Sequence, residues 1–121
     1  MLPSEIIDRA LTEVIPDESR WTQDGLHVAA LDGDDPDKSC LLGALGYAAA
    51  GSWTAACAAD RFRHPELETA CSEIERLIGE LHGDLLTFGV AHIPTFNDNR
   101  TYPEVRALAE KARANLAEQG Y

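Results

Sequence analysis

Apolar residues recur along this chain at helical spacing, and the places where the spacing breaks mark its elements. Between Pro3 and Val14, the residues Ile6, Ile7, Ala10, Leu11 and Val14 fall on one broad face, which predicts an amphipathic helix that Pro16 ends. The clearest periodic segment opens at His64-Pro65-Glu66. There Leu67, Ala70, Cys71, Ile74, Leu77, Ile78 and Leu81 recur at steps of three and four, with Gly83 suited to the position just past the helix end. A third begins at Thr101-Tyr-Pro-Glu104, a capping box with Pro103 inside it, and continues with Val105, Leu108, Ala109, Ala112 and Leu116 on its buried face.

The run from Cys40 through Leu41, Leu42, Leu45 and Tyr47 to Gly51 is apolar on all sides, as expected of a buried helix. Asp35 reads as its cap, Pro36 as its first position and Asp37 as a favourable charge against the dipole, so Cys40 falls in the first turn. Gly43 and Gly46 each cost about 1 kcal/mol of helix propensity, which predicts that neighbouring elements approach closely there. Ser52 reads as the cap of a short helix through Phe62, with Trp53 at its start. Around Asp24-Gly25, Trp21 and Thr22 on one side and Leu26 and Val28 on the other suggest a small hairpin lying on the helices. Leu85, Leu86, Phe88, Val90 and Ile93 form an irregular apolar stretch that threads into the core, and the segment from His92 to Arg100 reads as a polar loop. The expected fold is mainly α: a compact bundle of about five helices, at most one small β-hairpin near residues 20–30, and one domain over residues 1–121.

Charge changes this picture more than composition does. The net charge is −11, and residues 1–37 hold ten acids against Arg9 and Arg20, while the rest of the chain holds eleven acids and eight bases. Such a surface repels nucleic acid, whose binders cluster Lys and Arg, and it steers toward a basic protein partner. Three cysteines at irregular spacing argue against a disulfide framework and for reduced thiols in the cytoplasm. The N-terminus lacks the basic and apolar regions of a signal peptide, and the Cys40–Ala50 run is too short to span a bilayer, so no membrane association is expected.

Candidate chemistry is confined to two places. Cys40, near a helix start, would have its thiolate favoured by the helix dipole, and His92 with Asn97 or Asp98 could supply the partners of a cysteine nucleophile. Asp35 and Asp37 nearby oppose that activation, and Leu41, Leu42 and Leu45 suit a buried structural cysteine equally well. Asn97, Asp98 and Arg100 fit a turn scaffold as well as a binding loop. No metal site is expected: Cys57, His64 and Cys71 are too widely spaced for zinc, and Asp32, Asp34, Asp35 and Asp37 lack the glycine and distal glutamate of a calcium loop. No phosphate-cradling glycine loop and no other cofactor pattern is present. Trp21, Trp53 and Phe96 suit either an interface or the core.

Trp21 ahead of Gly25, the run Cys40-Leu-Leu-Gly-Ala-Leu45, and the series from Phe96-Asn-Asp through Arg100-Thr, Glu104-Val and Lys111-Ala112 together resemble a small domain family of unknown function from actinobacteria and their phages. Phe96 stands where that family often carries Trp. The resemblance implies no activity, but it does imply a phage or mobile-element setting.

The leading expectation is a small acidic cytoplasmic binding protein, not an enzyme. It would dock an acidic face, formed by the first helix and Asp32, Asp34, Asp35 and Asp37 with Trp21, onto a basic host partner, in the manner of a nucleic-acid mimic or defence inhibitor. Two other readings stand beside it: a cysteine hydrolase or transferase using Cys40, His92 and Asn97 or Asp98, and a homo-oligomeric module joined through helix 40–51.

Overall fold

A computed structural model of the chain describes residues 1–29, 37–82, 86–87 and 90–121, with the backbone alone at 58–59, 86–87 and 90–91. Asp32, Asp34, Asp35 and Pro36 of the acidic segment lie outside the described residues, as do Gly83, Leu85 and Phe88.

The fold is mainly α, built from five α-helices in the described residues: α1 (Pro3–Arg9), α2 (Leu41–Ala50), α3 (Pro65–Leu81), α4 (Ile93–Asn99) and α5 (Tyr102–Glu118). Helices α1, α3 and α5 pack on one another, and α2 lies against α1, α3 and α4. Their shared core holds Ile7, Leu11, Leu41, Leu45, Leu67, Ile74, Ile78, Phe96 and Val105, all essentially without solvent contact. Helix α3 buries the expected stripe from Leu67 to Ile78, whereas Leu81 at its end is exposed. The capping box of α5 forms as its sequence predicts: the Thr101 amide donates to Glu104 Oε1 at 3.1 Å, and Thr101 Oγ1 accepts from the Glu104 amide.

The first helix does not run to Pro16 as α-helix. After Arg9 it widens into a π-helical segment, Ala10–Val14. Tyr102 Oη donates to the Ile15 carbonyl at 2.6 Å, and Arg106 donates both to the Leu11 carbonyl (3.0 Å) and to Tyr102 Oη (2.9 Å). These bonds from α5 occupy carbonyls that a helix end leaves unpaired.

Helix α2 starts later than its acidic approach suggests. Lys38–Ser39 is a strand, β2, paired antiparallel with β1 (His27–Val28), with His27 opposite Ser39. The chain is therefore extended up to Cys40, whose φ of −80° and ψ of 175° make it the cap of α2, not a residue of its first turn. The pairing also corrects the expected hairpin. Asp24 does bend the chain, at a φ of 63°, but Trp21 and Thr22 do not pair with Leu26 and Val28; Trp21 instead bridges in parallel to Ser39. A second two-residue pair joins β3 (Leu86–Thr87) to β4 (Val90–Ala91). The predicted helix after Ser52 is replaced by turns and a 3-10 segment, Ala58–Arg63.

The two glycines of α2 are sites of close approach. A Cβ on Gly43 would stand 2.1 Å from the Leu26 carbonyl oxygen, and one on Gly46 would stand 2.8 Å from that of Ser52. The small face of α2 is thus covered by the chain's own backbone, and Leu41 to Gly46 and Ala48 are all buried.

Candidate functional site

The segment from His92 to Arg100 is not a loop but helix α4, with Pro94 in its first turn. It places Asn97, whose side chain is fully buried, between the Trp21 segment and the start of α2. Asn97 Oδ1 accepts from Trp21 Nε1 at 2.7 Å and from the Leu41 amide at 3.0 Å. Its Nδ2 donates to the Thr22 carbonyl at 3.0 Å and to Asp98 Oδ1 at 3.1 Å. Two acceptor sites and two N–H groups are what a carboxamide offers, so this side chain is saturated. Gln23 reinforces the same junction, its Nε2 lying 3.1 Å from the Asp98 carbonyl and 2.9 Å from that of Arg100. Asp98 Oδ1 also accepts from the Asp24 amide at 2.8 Å, which holds Asp24 in its left-handed conformation. Asn97 and Asp98 therefore fasten three segments that are distant in sequence.

Cys40 lies beside this junction, only 3% exposed. Its Sγ accepts from the Gly43 amide at 3.4 Å, acting as the helix cap. Burial pushes the thiol above the ordinary cysteine range; the Gly43 and Leu42 amides pull it back and the Asp98 charge adds to the rise. Cys40 and Cys57 line a cleft of about 490 Å³ with Asp24, Asp98, Gly25, Leu26, Leu42 and Pro94. His92 occupies the position just before α4, its side chain makes no capping bond there, and it does not line this cleft; among the described residues no hydrogen bond joins it to Cys40. Of the proposed nucleophile set, then, Cys40, Asn97 and Asp98 come together around a protonated, capped thiol, and the imidazole does not join them.

Trp21 is also committed within the chain. Its indole N–H is bonded to Asn97 and its ring lies 5.7 Å from that of Tyr102, while the side chain as a whole is half-buried. Of the acidic candidates, Asp37 is described: its Oδ2 accepts from His27 Nε2 at 3.0 Å and its carbonyl from Arg20 Nε at 3.0 Å. Glu5, Asp8, Glu13, Asp17, Glu18 and Asp24 all stand exposed.

Two arrangements escaped the reading of the sequence. His27, Trp53 and Tyr47 stack on one another; no spacing relates them, since they come from a strand, a turn and a helix. Arg61 reaches Glu75 at 2.6 Å and also pairs with Glu68, and its guanidinium is held further above its usual range chiefly by Glu75. The seven-residue spacing of Glu68 and Glu75 puts both on one side of α3 and was a usable signal.

Among the described residues, no group of three or more His, Cys, Asp or Glu side chains is arranged to hold a metal ion, and no helix is long and apolar enough to cross a membrane. The chain matches no curated protein and no solved structure. A family model does match it over residues 1–115, nearly the whole chain, so the protein belongs to DUF6197, a family of unknown function.

Proposed function

We propose that this chain is a small acidic binding protein that docks its acidic N-terminal third onto the basic surface of another protein. The observation that carries the reading is the distribution of charge: residues 1–37 hold ten acids and two bases, and Glu5, Asp8, Glu13, Asp17, Glu18 and Asp24 are exposed. Long-range attraction of this kind raises association rates and fades with salt. Reduced thiols support a cytoplasmic setting. The motif resemblance supports a phage or mobile-element origin, in which the partner is a basic host protein such as a nucleic-acid enzyme or a defence factor.

The cysteine-nucleophile reading has lost its support, because the thiol is buried, capped by the Gly43 amide and raised in pKa. The oligomer reading is weakened by the use of the small face of α2 within the chain.

The test uses nona-lysine as the basic probe. Replacing Asp34, Asp35 and Asp37 with Lys should slow its association and flatten the salt dependence of the rate in stopped-flow measurements. Equal rates for both proteins from low to high salt would remove the acidic face as the docking element.

A further inference from the structure

The three-ring stack has an open end. The imidazole of His27 lies on the indole of Trp53 with 4.2 Å between ring centroids and 4° between planes, and the phenol of Tyr47 lies on the same indole at 4.2 Å and 18°. Two nearly parallel rings at that distance would overlap if they shared a face of the indole. They therefore lie on opposite faces, and Trp53 is the middle layer. The His27 end is fixed by its hydrogen bond to Asp37, whose carbonyl is held by Arg20. The other end is Tyr47, which carries one face on Trp53 and is still 43% exposed. A ring held this firmly loses little freedom when something lands on it, and Tyr is among the residues that dominate binding hot spots.

We propose that the outer face of Tyr47 is a docking platform for an arginine side chain of a basic protein partner. The proposal rests on the acidic-docking reading above and names the contact that gives it specificity. Charge selects the occupant. A nucleobase also stacks on aromatic rings, but its phosphates would meet a net charge of −11. A guanidinium is planar, weakly hydrated and attracted both to the ring face and to a protein of net negative charge. The ammonium of lysine carries the same charge on a compact, strongly hydrated head, so it gains less from the ring. A preference for arginine over lysine at equal charge is the signature of this contact.

The experiment compares nona-arginine with nona-lysine by titration calorimetry at low ionic strength, using the intact protein, Tyr47→Leu and Tyr47→Phe. Leucine keeps Trp53 covered while removing the π face, and circular dichroism verifies that both variants are folded. The intact protein and Tyr47→Phe should bind nona-arginine about two- to fivefold more tightly than nona-lysine, with the ratio falling to about one in Tyr47→Leu. An arginine preference that survives in Tyr47→Leu, or equal binding of the two peptides by the intact protein, overturns the platform and leaves acidic docking standing. Failure of both peptides to bind overturns the two proposals together.

Discussion

Asn97 offers the sharpest test of whether the polar cluster of α4 is architecture or ligand chemistry. Its four hydrogen bonds reach Trp21, Leu41, Thr22 and Asp98, and no water need enter to complete them. Asn97→Asp keeps the shape but removes both donors and sets a carboxylate against that of Asp98. We expect a loss of about 3 kcal/mol or more in urea denaturation, since each buried polar group left unpaired costs roughly 1–3 kcal/mol. A variant as stable as the parent would return Asn97 to the list of ligand contacts. The sequence marks this residue as unusual but misplaces it in a loop. Asn favours turns because it competes locally for the backbone, and here its partners lie as far as 76 residues away, where no local propensity can register them. Cys40 was legible as the start of a helix, but not as its cap, because the pairing of Lys38–Ser39 with His27–Val28 holds the approach extended.

At the level of the element, α2 depends on what it lacks. A Gly-to-Ala change inside a helix ordinarily gains about 1 kcal/mol. At Gly43 the added methyl would meet the Leu26 carbonyl at 2.1 Å, and backbone of that kind yields only by moving the segment that carries Gly25 and Leu26. Gly43→Ala should therefore destabilise the protein by about 1–3 kcal/mol despite its better propensity. Thermal unfolding by circular dichroism decides the sign, and a raised midpoint would mean that the close approach relaxes freely. The prediction from sequence that these glycines admit neighbours holds, because missing bulk in an apolar helix has few other uses. The turns after Ser52 were not legible. Their course is set by Trp53 entering the stack with His27 and Tyr47, contacts made across three elements.

Across the whole molecule, charge couples stability to pH. The Arg61 guanidinium lowers the Glu68 carboxyl from its ordinary 4.5, burial opposing it and Ser72 helping. A carboxyl depressed in the folded state contributes stability that is complete above its unfolded value and is lost as pH falls through the folded one. Stability should thus decline as the medium is taken below about 4.5. Glu68→Gln should make that decline shallower in urea titrations run at successive pH values. Identical acid limbs for the two proteins would show that the pair contributes nothing to it. The mainly helical architecture could be read from apolar spacing alone in α3 and α5, whose faces are defined within one segment. The widening of α1 into a π segment could not, since its extra carbonyls are answered by Tyr102 and Arg106 from the far end of the chain.

That π segment ties together stretches that would otherwise fray separately. The carbonyls of Leu11 and Ile15 are held by α5, and on the other side the amide and hydroxyl of Ser4 both donate to the Tyr121 carbonyl, at 3.1 and 3.0 Å. Residues near chain ends usually open first and exchange their amide protons fastest. Here neither α1 nor α5 can lift away without releasing the other, so the two helices behave as a single opening unit, and the amides of residues 6–15 and 105–116 belong among the slowest to exchange.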